Sequence, residues 1–124
     1  MNASTLAQQA YAGAAAPLRT SRDTEYKVFA RITHRLLEAA RKGKPGYNEL
    51  VSAVHDNRRL WTLLSADAAD DGNQLPDELR ASIISLAGFT LEHSQAVLRK
   101  KASAAPLIEI NSVIMRGLRS GATT

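Results

Sequence analysis

The sequence predicts an all-α fold, a small single domain built as a helical bundle of about four to five helices and preceded by an N-terminal helical arm. Apolar residues recur at three- and four-residue spacings along most of the chain, which is the period of an amphipathic helix. No alternating apolar run is flanked by hairpin turns, so strands are not expected. The 124 residues suit one domain, and a hydrophobic content of 44% is enough for one modest core.

The N-terminal arm is predicted over residues 1–19, the bundle over residues 20–119, and a disordered tail over residues 120–124. Within the arm, Leu6 and Tyr11 belong to a narrow apolar stripe on a short helix that would be marginal in isolation. A joint containing glycine and proline then separates this helix from the bundle. We therefore expect an arm that either docks on the domain or waits for a partner.

The first bundle helix is predicted to begin at Thr20 or Ser21, both good N-cap residues, and to run to about Lys42. Gly43 follows as the glycine that ends this helix, since glycine tolerates the backbone conformation found just beyond helix C-termini. A second bundle helix is predicted over about residues 48–66, where apolar residues again recur at helical spacing.

An acidic loop over residues 67–74 follows the second bundle helix. Its carboxylates and amide suggest calcium, but the alternating ligand spacing of a helix-loop-helix calcium site is missing, and so is the glutamate at its twelfth position. An acidic turn that contains glycine and binds no ion is the simpler interpretation. We expect neither a metal nor a cofactor.

A long third bundle helix is predicted to start at Leu75-Pro76-Asp77, because proline suits the first turn and carboxylates are favoured at a helix N-terminus. Leu79 is one of the apolar residues that line one side of it, and Ile84 and Phe89 widen the apolar arc. The segment from Ser103 through Pro106 is predicted to break the chain and restart it as a last helix, which carries another apolar stripe.

The composition excludes several classes of function. Cysteine is absent, which excludes disulfides, thiolate catalysis and Cys-ligated metals and makes the cytoplasm the default compartment. No apolar stretch approaches the roughly 20 residues of a membrane helix. His34, His55 and His93 lie in three different predicted helices, and no two have the spacing that aims two imidazoles at one metal. With no phosphate loop and no nucleophile elbow, we expect a binding protein and not an enzyme.

Positive charge is concentrated in the first half of the chain. Residues 1–60 hold ten Lys and Arg against five Asp and Glu, whereas the rest of the chain holds six against seven. Lys27, Arg31 and Arg35 follow one another at four-residue steps, and Arg58-Arg59 adds two more cations. This pattern raises the hypothesis of RNA binding, with an ordinary solvated helix face as the simpler alternative.

Two residues on apolar helix faces each have two possible roles. Trp61 lies beside Leu60 and Leu64, so burial is favoured over stacking on a ligand. Asn111 lies among isoleucine and valine, where an unpaired amide would cost about 1–3 kcal/mol, so it is expected to hydrogen-bond a neighbouring element. Contact with a partner is the functional alternative for both residues.

Several short motifs, taken in order, carry a resemblance to a known family. From the N-terminal side they are Ala10-Tyr11; Asn57, Leu60-Trp61 and Leu64; Asn73-x-Leu75-Pro76; Leu79-Arg80-Ala81; Ile83-Ile84-Ser85-Leu86; Leu107-Ile108-x-Ile110-Asn111; and Gly117-Leu118. Through the order and spacing of these motifs, the chain resembles the FlaF family of small flagellar biosynthesis proteins of alphaproteobacteria. None of the motifs is a catalytic signature.

The resemblance implies a cytoplasmic factor needed for flagellin to be made and exported, acting alongside FlbT, which is associated with post-transcriptional control of flagellin messenger RNA. Because flagellin termini are amphipathic helices, we expect flagellin to bind a hydrophobic groove of the bundle. The predicted partner-binding residues, each with a core role as the alternative, are Leu6, Tyr11, Trp61, Ile108, Asn111 and Met115. The competing hypothesis is a regulator that acts on flagellin messenger RNA through FlbT, or directly through Lys27, Arg31, Arg35, Arg58 and Arg59.

Overall fold

Four α-helices and one short 3-10 turn make up the fold in the computed structural model, which describes the backbone of residues 18–123 and the side chains of residues 25–117. The helices are α1 (Leu18–Arg41), α2 (Tyr47–Ala69), α3 (Asp77–Leu98) and α4 (Ala105–Thr123), and the 3-10 turn Lys44–Gly46 joins α1 to α2. Residues 18–123 contain no strand, so the all-α prediction is confirmed. Leu6 and Tyr11 of the predicted arm lie outside the described residues.

Three helix boundaries differ from those predicted. Helix α1 already includes Thr20 and Ser21, so the prediction that one of them is the N-cap is wrong. Helix α2 extends to Ala69, beyond the predicted residue 66, because Asp67 and Ala68 are buried. Helix α4 continues to Thr123 where a disordered tail was predicted from residue 120, and no proline follows Pro106 to end it sooner.

Two glycines form the sharp connection between α1 and α2. Gly43 has a φ of +65°, a conformation that side chains of other residues disfavour, and it ends α1 as predicted. Gly46 is buried against the last turns of α1, where an added Cβ would lie 2.5 Å from the carbonyl oxygen of Ala39. The close approach allows α2 to fold back directly along α1.

The helices pack side by side in the spatial order α4, α1, α2, α3. Helix α1 packs extensively against both α2 and α4, and α2 packs extensively against α3, whereas α3 and α4 make few contacts with each other. The hydroxyl of Tyr47 donates to the carbonyl oxygen of Leu98 at 2.7 Å, which joins the start of α2 to the end of α3. The core contains Phe29, Ile32 and Leu36 of α1, Val54, Leu60 and Trp61 of α2, Ile83, Ala87 and Val97 of α3, and Leu107 of α4.

Helix α3 is less deeply buried than its apolar sequence predicts. Leu79 is 45% exposed, and Ile84 and Phe89 are similarly exposed. The apolar arc of this helix is therefore wider than its buried face, because only α2 covers the helix extensively. The face that meets α2 is narrow and includes Ile83 and Ala87.

The loop between α2 and α3 is held by its own side chains. The side-chain amide of Asn73 donates to both the carbonyl and the carboxylate of Asp67, at 3.1 and 3.0 Å, and its oxygen accepts from the backbone N–H of Leu75. The guanidinium of Arg80 donates to the carbonyl oxygens of Ala68 and Asp70, at 2.7 and 3.0 Å. A cation thus caps the negative end of the α2 dipole, so this loop has a clear structural role.

Replacing Arg80 with methionine should destabilise the protein by about 1–3 kcal/mol, because two carbonyl groups at the end of α2 lose a charged donor. The free energy of unfolding, measured in urea, checks this. Arg99→Met is the matched control, since Arg99 is exposed and its loss should change stability by less than about 0.5 kcal/mol. Equal stability of the two variants would mean that water replaces the guanidinium at no net cost.

Candidate functional site

A buried hydrogen-bond network centred on Asn111 joins three helices. Asn111 Oδ1 accepts from Trp61 Nε1 at 2.9 Å. Asn111 Nδ2 donates to Thr33 Oγ1 at 3.1 Å and to Asn57 Oδ1 at 2.8 Å. The exposed fraction is 0% for Trp61, Asn57 and Asn111, so these bonds form without competition from solvent. One amide of α4 therefore binds both α1 and α2.

The surroundings of Trp61 are those of a core residue. Its ring meets the ring of Phe29 edge to face, with centroids 5.8 Å apart, an arrangement that aromatic pairs favour. Together with the bond to Asn111, this satisfies both the apolar body and the N–H of the indole. Trp61 and Asn111 were predicted as partner contacts with a core role as the alternative, and in the folded chain both occupy the core.

The predicted partner-binding residues do not form one surface within the described part of the chain. Ile108 and Met115 of α4 are half-buried at the edge of the core. Trp61 and Asn111 lie deeper, where a partner would reach them only if the helices separated. Of the six predicted residues, Ile108 and Met115 are thus the described ones that a partner can reach in the closed fold.

The predicted RNA-binding cations are brought together only in part. Arg31 and Arg59 are exposed on facing sides of α1 and α2, and Lys27 is exposed one turn before Arg31. Arg35 lies between the two helices, where its guanidinium donates to Asp56 Oδ2 at 2.6 Å and to Ser52 Oγ at 2.9 Å. Arg58 is half-buried and lies outside this cluster.

A shallow groove lies between α1 and α2 and is called the α1–α2 groove below. Its cavity volume is about 190 Å³. Four apolar residues and four charged residues line it: Val28, Ile32, Leu60 and Leu63 on the apolar side, and Arg31, Arg35, Arg59 and Asp56 among the charges.

The same spacing recurs on both walls of the α1–α2 groove. The lining positions are 28, 31, 32 and 35 on α1, and 56, 59, 60 and 63 on α2, which is the i, i+3, i+4, i+7 pattern of one helix face. Sequence reasoning did not identify Leu63 or Asp56 as site residues. This shared pattern was the available signal, but only the facing of the two helices turns it into a groove.

Histidines and acidic residues do not form a metal-binding cluster among the described residues. No group of three or more His, Cys, Asp or Glu side chains there could hold a metal ion. His34 and His55 are exposed, and a ring nitrogen of His93 lies 2.9 Å from the carbonyl oxygen of Ser103. Within the described residues, each helix is too short or too polar to cross a membrane.

Replacing Asn111 with leucine should lower the free energy of unfolding by about 2–4 kcal/mol, because the indole N–H of Trp61 and the side-chain oxygen of Asn57 are left buried without a partner. Urea unfolding followed by fluorescence checks this, since Trp61 is the single tryptophan of the chain. Val113→Ala is the control two residues away, and Val113 is 49% exposed. Unchanged stability in Asn111→Leu would contradict a structural role for the network.

Comparison with known proteins identifies the family. Residues 7–118 match the model of the family described as Flagellar protein FlaF, a range that includes α1, α2, α3 and most of α4. No curated protein and no solved structure gives a significant match. The motifs that carried the resemblance contribute to the Asn111 network, through Asn57 and Trp61, and to the loop held by Asn73 and Arg80. The chain therefore belongs to the FlaF family of flagellar proteins.

Proposed function

We propose that this protein is a non-enzymatic, cytoplasmic factor of flagellar biosynthesis that binds flagellin as a chaperone or adaptor and so promotes flagellin synthesis and export. The observation that carries the proposal is the match to a flagellar family across residues 7–118. A small helical domain suits such a role, because a helical bundle can offer a groove to the apolar face of a partner helix.

Large apolar side chains are exposed at several separate places on the bundle. Large hydrophobic side chains remain 40–49% exposed on three of the helices, namely Leu37 on α1, Leu79, Ile84 and Phe89 on α3, and Val113 on α4. Single exposed hydrophobic residues are common on soluble proteins. Flagellin termini are amphipathic helices that must stay unpolymerised before export, and exposed apolar side chains of the bundle can contact their apolar faces.

The buried positions of Trp61 and Asn111 change how the predicted contacts are tested. A Trp61→Ala variant would remove the largest buried side chain of the core and would therefore report on folding and not on binding. Ile108, Met115 and the arm residues Leu6 and Tyr11 remain proposed contacts with flagellin.

Mixing the purified full chain with monomeric flagellin should give a stoichiometric complex that persists at high salt, because burial of apolar surface is only weakly screened by ions. Size-exclusion chromatography with light scattering, run at low and at high salt, measures the mass of the complex and its ratio. Absence of a complex at both salt concentrations would overturn direct flagellin binding. The interaction with FlbT would then be measured in the same way.

A second candidate function is direct regulation of flagellin messenger RNA. The observation in its favour is that Arg31, Arg35 and Arg59 line one groove, with Lys27 one turn from Arg31. Against it, Asp56 pairs with Arg35, and none of the eight lining residues is an aromatic on which a base could stack. Such stacking contributes about 1–3 kcal/mol per base in proteins that bind single strands.

If the RNA function holds, affinity for flagellin messenger RNA should fall steeply as salt rises, because phosphate contacts release counterions. Fluorescence anisotropy with labelled messenger RNA at several salt concentrations measures the slope. Binding that is equally strong for flagellin messenger RNA and an unrelated RNA of the same length would indicate general attraction to a basic protein and would contradict a regulatory role.

A further inference from the structure

The α1–α2 groove is long enough for part of a partner helix to lie along it. Its lining residues repeat at i, i+3, i+4 and i+7 on both walls, so the groove follows the helix axes for about two turns. Val28 of α1 and Leu63 of α2 are half-buried and form the accessible part of its apolar floor, which the core residues Ile32 and Leu60 complete. The apolar stripe of an amphipathic helix can pack into a groove that runs between two helices.

The volume of the groove lies below the range that is typical of small-molecule pockets. The groove holds about 190 Å³, whereas sites for small ligands measure about 300–1,000 Å³. A cavity of this size suits the insertion of one large apolar side chain, with the rest of the partner lying along the surface. A protein segment is therefore the better occupant.

The rim charges define the chemistry of that segment. The lining includes three cations, Arg31, Arg35 and Arg59, and one carboxylate, that of Asp56. The excess is two positive charges, 3 minus 1. Asp56 pairs with Arg35 at 2.6 Å, so the excess resides mainly on the exposed Arg31 and Arg59 on opposite walls. Carboxylates on both sides of an apolar stripe would complement these two guanidinium groups.

The exposed apolar residues of α3 do not offer an equivalent site. Leu79, Ile84 and Phe89 follow one another at five-residue steps. At about 100° per residue, each lies about 140° around the helix from the one before, so the three do not line one face. The groove, by contrast, gathers apolar and cationic residues of two helices in one place.

We propose that the α1–α2 groove binds an amphipathic helix of the partner whose apolar stripe is flanked by carboxylates, with one apolar side chain seated on the floor and the carboxylates paired with Arg31 and Arg59. This inference rests on the proposed function, since flagellin is the partner in which the helix is sought.

The charge component is tested with the full-length double variant Arg31→Glu/Arg59→Glu. Its affinity for monomeric flagellin, measured by isothermal titration calorimetry, should fall at least about tenfold, because attraction is replaced by repulsion. Arg99→Glu/Lys101→Glu makes the same change of charge at exposed positions near the end of α3 and should stay within about twofold of the unchanged protein. Arg31→Lys/Arg59→Lys keeps the charges and should bind within about threefold.

The location is tested with cysteine variants, because the natural chain contains no cysteine. Leu63→Cys, labelled with a benzophenone maleimide, should cross-link to flagellin on irradiation. Thr62→Cys is the matched control, since Thr62 is exposed and lies about 100° around α2 from Leu63. Cross-linking should be at least about fivefold weaker from the control position.

These experiments distinguish failure of the groove proposal from failure of the proposed function. If flagellin binds the unchanged protein but affinity is equal in both charge-reversed variants, or cross-linking is equal from both cysteine positions, the groove proposal is overturned and flagellin binding stands. If flagellin does not bind the unchanged protein, the proposed function fails and the groove proposal fails with it. If Arg31→Glu/Arg59→Glu loses binding to flagellin messenger RNA and not to flagellin, the groove belongs to RNA.

Discussion

The fold depends on the side-chain amide of Asn111. Its three hydrogen bonds, to Trp61, Asn57 and Thr33, connect α4 to the two helices that contribute most of the large core side chains. A buried amide that satisfies its own polar atoms this fully tolerates little sliding of the helices, because each shift would leave a donor or acceptor unpaired. Apolar packing supplies the driving force for burial, and the network selects one arrangement of α1, α2 and α4.

The residues that identify the family are mostly different from the residues that line the proposed binding surface. The motifs that resemble the family include Asn57, Trp61 and Asn111 in the core network, and Asn73 and Arg80 in the α2–α3 loop. Such positions constrain the fold tightly, because a buried polar group needs its partner and a helix end needs a cap. Of the eight residues that line the α1–α2 groove, Leu60 alone belongs to those motifs. The family motifs therefore identify the fold better than they identify the site.

Sequence reasoning predicted the four helices because their signals are local. Apolar spacing and the Pro76-Asp77 start lie within a few residues of the elements they define. The ends of α1, α2 and α4 were less predictable, since burial of residues such as Asp67 depends on distant parts of the chain. The same limit applies to the site: Asn111 and Trp61 are 50 residues apart, and Arg59 and Arg31 share a groove only because α1 faces α2. The spacing of apolar residues predicts which face of a helix points inward. It does not predict which other helix packs against that face.

The packing of α1 against α4 also sets the order in which the protein can mature during translation. The first and the last helix of the bundle are neighbours, and the bond from Asn111 to Thr33 spans 78 residues of sequence. While the ribosome is still making α4, the α2–α3 hairpin can form, but the indole of Trp61 and the amide of Asn57 have no Asn111 to bind. Only when the final helix has left the exit tunnel can the core close. A nascent chain stalled before that point would expose the apolar side of α1 that α4 covers in the finished fold.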